Sequence, residues 1–160
     1  MSANQLRTRL DFIKEFDFRH YQGRYGMRVV EELRRFFTLA ALNQGTSIGM
    51  FSKKVDEIWH TLVLDTESYT SFCEQAFGQF LHHVPAKTMR RTGEKMPKKS
   101  DFISLYEKAF GHTPPKMAWG TSTDCVIRCR CKSQILTMRA TSTSEVNRYS
   151  SGTTRETAAG

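Results

Sequence analysis

Asp56 and three histidines lie in one stretch of the sequence, between residues 55 and 85. Asp56 and His60 are four residues apart within an apolar run, and His82 and His83 follow shortly before Pro85. Carboxylate oxygens and imidazole nitrogens are ordinary ligands of divalent ions, and three protein ligands leave a fourth position open on zinc. These four polar residues therefore form a candidate metal site, with zinc as the expected ion.

The spacing of Asp56 and His60 places both side chains on one flank of a helix. Successive helical residues advance by about 100°, so the two lie about 40° apart beside an apolar face. A half-buried carboxylate without a partner loses roughly several kcal/mol of hydration, so Asp56 needs a neighbour. His60 and one of the two later histidines can supply it. His82 and His83 are adjacent and should point differently, so only one of them is expected at the site.

Three interpretations of this cluster stay open. The first is a central polar site that holds a divalent metal in a small binding or regulatory module. The second is a metal-dependent hydrolase, in which the metal lowers the pKa of a bound water. The third is a hydrogen-bonded Asp–His pair that only fixes helix packing. The chain has no His-Glu-x-x-His motif, and Glu57 lies about 100° from Asp56, poorly placed as a general base.

Helical periodicity dominates the sequence up to about residue 111 and predicts an all-α fold, a compact bundle of about five helices. Ser52 and Ser100 are the expected N-caps of the third and fifth helices. The predicted helices lie, in chain order, around residues 6–16, 29–41, 53–64, 66–77 and 101–110.

The segments between and after these helices have their own predictions. Residues 79–85 should be irregular or extended, and Pro97 argues against a helix through residues 87–99. Residues 112–119 are expected to form an extended lid whose Trp119 fills the core. The helical domain is therefore expected over residues 1–119.

The remaining residues, 120–160, are expected to form a disordered basic tail. Residues 137–160 contain ten Ser or Thr and very few apolar side chains, too few to offset the entropy of ordering. Cys125, Cys129 and Cys131 lack the Cys-x-x-Cys spacing of structural zinc sites, so a reduced, flexible segment is the preferred interpretation.

Positive charge is the second candidate functional feature. The formal net charge is +8, and residues 87–99 hold six basic residues against one acid. Such a segment attracts phosphates or an acidic protein partner, although no aromatic residue lies within it to stack on bases. A solvated charge run is the alternative. The candidate nucleic-acid contacts are Lys87, Arg90, Arg91, Lys98 and Lys99.

Composition excludes several other classes. Apolar residues make up 39% of the chain, including eleven Phe, which is typical of a globular protein. No apolar run approaches the roughly 20 residues needed to cross a bilayer. The first residues are charged and lack the apolar centre of a secretion signal. A cytoplasmic protein without a membrane partner is expected.

The run from Val55 to Pro85 resembles the signature segment of the GRDP-like family, a glycine-rich domain protein family of largely unknown activity. The resemblance rests on a Val-Asp-x-x-Trp-His start, an aromatic and Cys-containing middle, and a His-His-x-Pro end. Residues 31–40 and 106–119 extend it. This resemblance implies a compact α-helical domain and raises the expectation of a site at Asp56, His60 and His82 or His83. It implies no activity.

Overall fold

The computed structural model describes residues 1–120 and 125–129. Seven α-helices, one 3₁₀-helix and three short strands lie within them. The elements are α1 (Ala3–Glu15), a 3₁₀-helix (Phe18–Tyr21), α2 (Met27–Leu42), β1 (Ile48–Met50), α3 (Lys53–Leu64), α4 (Thr66–Phe77), β2 (Leu81–Pro85), α5 (Ala86–Arg91), α6 (Lys99–Phe110), α7 (Lys116–Trp119) and β3 (Cys125–Cys129). The prediction of an all-α fold is confirmed, because the five longest helices match the five predicted segments.

Helix α2 is the centre of the core. Its apolar side, from Val29 to Ala41, is buried, and Phe36 and Phe37 each pack on Trp59 of α3 with ring centroids 5.9 Å apart. Burying large aromatic side chains removes much apolar area from water and stabilises the fold. Arg34 joins α1 to α2, since its guanidinium donates hydrogen bonds to backbone carbonyls at the end of α1.

Several helix ends follow the sequence signals. Ser52 accepts a hydrogen bond from the Val55 backbone N–H at 3.1 Å, and Gly78 ends α4 with a φ of 67° that favours glycine. The prediction of Ser100 as a cap is wrong. Helix α6 begins at Lys99, two residues earlier than a cap at Ser100 implies, with Lys98 at the cap position and no side-chain cap. The Ser100 hydroxyl lies near the Asp101 carboxylate instead.

A small antiparallel sheet accompanies the helices, in the strand order β1-β3-β2. Strand β2 is the segment predicted as irregular or extended, whereas β1 and β3 are additions to the predicted elements. Strand β3 lies within the range expected to be a disordered tail. The rest of that prediction, for residues 121–124 and 130–160, lies outside the described residues.

Two short helices also differ from expectation. Helix α5 lies in the basic segment, where no helix is predicted, and it ends at Arg91, well before Pro97. Gly93 follows it with a φ of 70°. Helix α7 is a single turn in the predicted lid. It buries Trp119, as expected, to 3% exposure. Among the described residues, none of the helices has both the length and the apolar character required to span a membrane.

Candidate metal centre

Helix α3 places Asp56 and His60 one turn apart, facing strand β2. The Asp56 side chain is 9% exposed, whereas that of His60 is 49% exposed. The distance from His60 Nδ1 to Asp56 Oδ2 is 3.6 Å. The buried acid and the half-exposed imidazole therefore share a site that opens toward solvent on the side of His60.

Strand β2 supplies the third group, His83. Its Nε2 lies 2.8 Å from Asp56 Oδ1, at hydrogen-bond distance, and its side chain is 10% exposed. The rings of His60 and His83 are 4.3 Å apart between centroids, and Trp59 packs against the His83 ring at the same centroid distance. The structure thus brings Asp56, His60 and His83 together.

His82 lies elsewhere. Side chains alternate between the two faces of a strand, and His82 is exposed with its ring 5.1 Å from that of Phe80. It is not part of the group of potential ligands found among the described residues. The expectation that only one of the two adjacent histidines faces Asp56 therefore agrees with this geometry.

A chain of hydrogen bonds holds β2 against the helices. The Trp59 indole donates to the Tyr69 hydroxyl at 3.2 Å, and that hydroxyl donates to the Leu81 backbone carbonyl at 2.6 Å. All three residues are buried. On its other side β2 pairs with β3, where His83 lies opposite Ile127. The position of His83 is consequently fixed by both helix and sheet contacts.

The three side chains lie close enough together to be candidate ligands of one metal ion. One ligand atom from each of Asp56, His60 and His83 lies within 4.8 Å of the others. Two ligands at about 2.0–2.1 Å from one tetrahedral zinc lie about 3.3 Å apart. The separations of 2.8 Å from Asp56 to His83 and 3.6 Å from Asp56 to His60 fall on either side of that value. Side-chain rotations that move His83 away from Asp56 would be needed to direct all three groups at one ion.

Glu57 does not take part in this cluster. Its carboxylate accepts hydrogen bonds from the Tyr25 hydroxyl and the Arg24 guanidinium, on a different side of α3. The Tyr25 hydrogen bond, assisted by Arg24, lowers the pKa of Glu57. This arrangement agrees with the sequence interpretation that Glu57 is poorly placed as a general base.

The candidate nucleic-acid residues lie on α5, which directly follows β2, and at the start of α6. All five side chains of Lys87, Arg90, Arg91, Lys98 and Lys99 are exposed. Lys87, Arg91, Lys98 and Lys99 do not contribute to the ion pairs identified within residues 1–120. Their role in binding remains a prediction.

A second buried carboxylate, Glu32 on α2, was not among the predicted site residues. It accepts hydrogen bonds from Arg35 at 2.9 Å, Tyr106 at 2.8 Å and Trp119 at 2.7 Å. Burial, together with the bond to Glu32, raises the pKa of Tyr106. The sequence did carry a signal, because Glu32 falls on the apolar side of α2, between Val29 and Phe36.

Fold and site together define a mostly helical protein with a carboxylate–histidine cluster between a helix and a short strand. The model of the UCP032817-like family matches residues 8–101, more than half of the chain. The chain therefore belongs to the UCP032817-like family, which is uncharacterised. Comparisons with curated proteins and with solved structures gave no significant match.

This family corrects the resemblance drawn from the sequence. The assignment to the GRDP-like family is wrong, because the family match is to UCP032817-like proteins instead. The segment from Val55 to Pro85 that carried the resemblance lies inside the matched range. The spaced Asp, Trp and His residues of this segment reflect the packing of a helix on a strand. Their pattern does not distinguish the GRDP-like family from the UCP032817-like family.

Proposed function

We propose that the protein is a divalent-metal-binding module whose ion, preferably zinc, is held by Asp56, His60 and His83. The observation that carries this proposal is the convergence of three potential ligand atoms from two elements within 4.8 Å. A carboxylate and two imidazoles are a donor set that zinc accepts.

Burial supports a role beyond packing. Asp56 and His83 are nearly buried, so their mutual orientation is held by the surrounding core, as the Trp59 contact and the Tyr69 hydrogen bonds indicate. His60 contributes little to helix packing, because half of its side chain faces solvent. A rigid pair with an accessible third ligand favours entry of an ion from solvent.

Metal binding would replace the hydrogen bond between His83 and Asp56 with bonds from both side chains to the ion. The hydrogen bond joins His83 Nε2 to Asp56 Oδ1, and an ionised carboxylate can only accept, in which case Nε2 carries the proton. A bound cation would take the place of that proton, which would move to Nδ1 or to solvent, because imidazole coordinates through an unprotonated nitrogen. The ion would also offset the charge of Asp56 in a site that excludes most water.

The test is elemental mass spectrometry on the full chain, purified without a histidine tag, equilibrated with zinc and dialysed. We expect near-stoichiometric zinc in the wild type and its loss in Asp56→Asn and His83→Ala. His60→Ala should weaken binding by at least tenfold. His82→Ala is the matched control and should retain the metal. A wild-type chain that holds no zinc, or equal loss in His82→Ala, would contradict the proposal.

Hydrolysis is a second candidate function of the same site. The favouring observation is the exposure of His60, since three protein ligands leave a fourth position where water can reach the ion. Zinc-dependent cleavage of p-nitrophenyl acetate and bis-p-nitrophenyl phosphate is the measurement. Turnover that follows zinc content across the four variants supports catalysis, and a zinc-loaded wild type without turnover restricts the module to binding.

The exposed basic residues support a separate proposal about partners. Lys87, Arg91, Lys98 and Lys99 form no ion pair with another side chain of residues 1–120. Their charges are therefore available to phosphates or acidic peptides. Mobility shift of RNA and DNA oligonucleotides at several salt concentrations is the test. Binding that survives replacement of Arg90, Arg91, Lys98 and Lys99 by alanine would count against this surface.

A further inference from the structure

A cavity of about 450 Å³ lies between the first turns of α6 and residues 113–120. Its apolar lining comes from Phe102, Ile103, Pro114 and Trp119. This volume is within the range of small-molecule sites, which are mostly apolar with a few polar groups for orientation. The cavity contains none of the candidate metal ligands.

Phe102 and Trp119, which form the aromatic floor of the cavity, are held in place by contacts within the core. Trp119 and Phe102 are almost fully buried, and their ring centroids are 4.5 Å apart. The Trp119 indole N–H is also fixed by its hydrogen bond to the buried carboxylate of Glu32. A wall positioned in this way is preformed, so a ligand does not have to order it on binding.

Two lysines, Lys99 and Lys116, lie at the exposed rim. Neither forms an ion pair within residues 1–120, and no acidic residue lines the cavity. An apolar floor beneath two cations complements a molecule with an apolar body and an anionic end. A neutral apolar ligand would leave the lysines unused, and a small inorganic anion would leave the aromatic floor uncovered.

We propose that this cavity binds a small apolar monocarboxylate, with the hydrocarbon body on Phe102, Ile103 and Trp119 and the carboxylate toward Lys99 and Lys116. The site is independent of the metal centre. Apart from Lys99, every lining residue lies beyond residue 101, where the family match ends. Membership of the family therefore does not by itself imply this ligand.

Isothermal titration of the full chain with octanoate tests the proposal, with 1-octanol as the neutral counterpart. We expect saturable binding of octanoate at one site and weaker binding of the alcohol. Lys99→Ala and Lys116→Ala should each weaken octanoate binding about two- to fivefold, as expected for exposed charge pairs. Lys98→Ala is the matched control, because this neighbouring exposed lysine does not line the cavity, and its affinity should equal that of the wild type.

Filling the cavity supplies the decisive comparison. Ile103→Trp should reduce octanoate affinity more than tenfold while the circular dichroism spectrum stays that of a helical protein. Thr113→Trp blocks the same cavity from its exposed rim, so misfolding of one variant leaves the other to decide. Absence of saturable binding, binding unchanged in both filled variants, or equal weakening in Lys98→Ala would overturn the proposal.

Discussion

Two carboxylates are buried among the described residues, Glu32 on α2 and Asp56 on α3, and their surroundings differ. Glu32 accepts hydrogen bonds from an arginine, a tyrosine and a tryptophan, all of which keep their protons at neutral pH. Asp56 meets two histidines, whose nitrogens can either carry a proton or coordinate a metal.

This difference separates a structural carboxylate from a chemically usable one. Burial alone does not mark a functional site, because Glu32 is at least as buried as Asp56. The partners of Glu32 donate three hydrogen bonds to it and connect α2 to α6 and α7. The partners of Asp56 leave an imidazole half exposed to solvent. The comparison yields predictions for variants that should differ in their stability and in their metal binding.

The largest expected effect is on stability, in Glu32→Gln. The amide loses the charge that faces Arg35 and cannot accept all three hydrogen bonds, so the free energy of unfolding should fall by about 3 kcal/mol. Urea denaturation measures it. Glu31→Gln is the matched control, since Glu31 is exposed and pairs with Arg34 at the surface, and it should change stability by less than about 0.5 kcal/mol. Equal effects would remove the distinction between the two glutamates.

Strand β3 offers the next test, Ile127→Pro. Proline removes a backbone donor from the central strand and should cost about 3 kcal/mol or somewhat less at this short sheet. Since Ile127 lies opposite His83, zinc affinity should fall as well. Titration with zinc and urea denaturation check both effects. A variant with unchanged zinc affinity would show that the helix contacts alone position His83.

A smaller loss is expected in Tyr69→Phe. This change removes the hydroxyl that connects Trp59 to the Leu81 carbonyl and leaves that buried carbonyl without its donor, at a cost of about 2 kcal/mol. Zinc affinity should fall about tenfold, because groups that orient metal ligands contribute on this scale. Tyr21→Phe removes a hydroxyl bonded to exposed Asp65 and serves as the control.

The smallest effect on stability is expected in Asp56→Asn without metal. Asparagine can still accept a hydrogen bond from His83, so the metal-free protein should lose only about 1 kcal/mol. Zinc should stabilise the wild type against thermal unfolding and leave this variant unchanged. A variant that zinc stabilises as strongly as the wild type would place the ion elsewhere.

Local spacing made part of this structure predictable. Four-residue spacing places Asp56 and His60 one turn apart, and the helices follow from apolar periodicity with caps such as Ser52. Glu32 was also readable from its place on the apolar side of α2, although its partners Tyr106 and Trp119 lie more than seventy residues away in sequence.

Long-range pairing could not be predicted in the same way. The choice of His83 over His82 depends on the register of β2 against β3, which lies about forty residues later. Both β1 and β3 are too short to show a strand pattern, and each is defined by its neighbour rather than by its own residues. The prediction of Ser100 as the cap fails because the cap position of α6 lies two residues earlier, at Lys98, without any side-chain cap that the sequence could signal.

The most direct test of the metal centre is a crystal structure of the full chain grown with zinc, with anomalous data collected on either side of the zinc absorption edge. We expect an anomalous peak about 2.0–2.1 Å from Asp56 Oδ1 or Oδ2, His60 Nδ1 and His83 Nε2. Crystals with excess zinc that retain the direct Asp56–His83 hydrogen bond and show no peak there would contradict metal binding at this site.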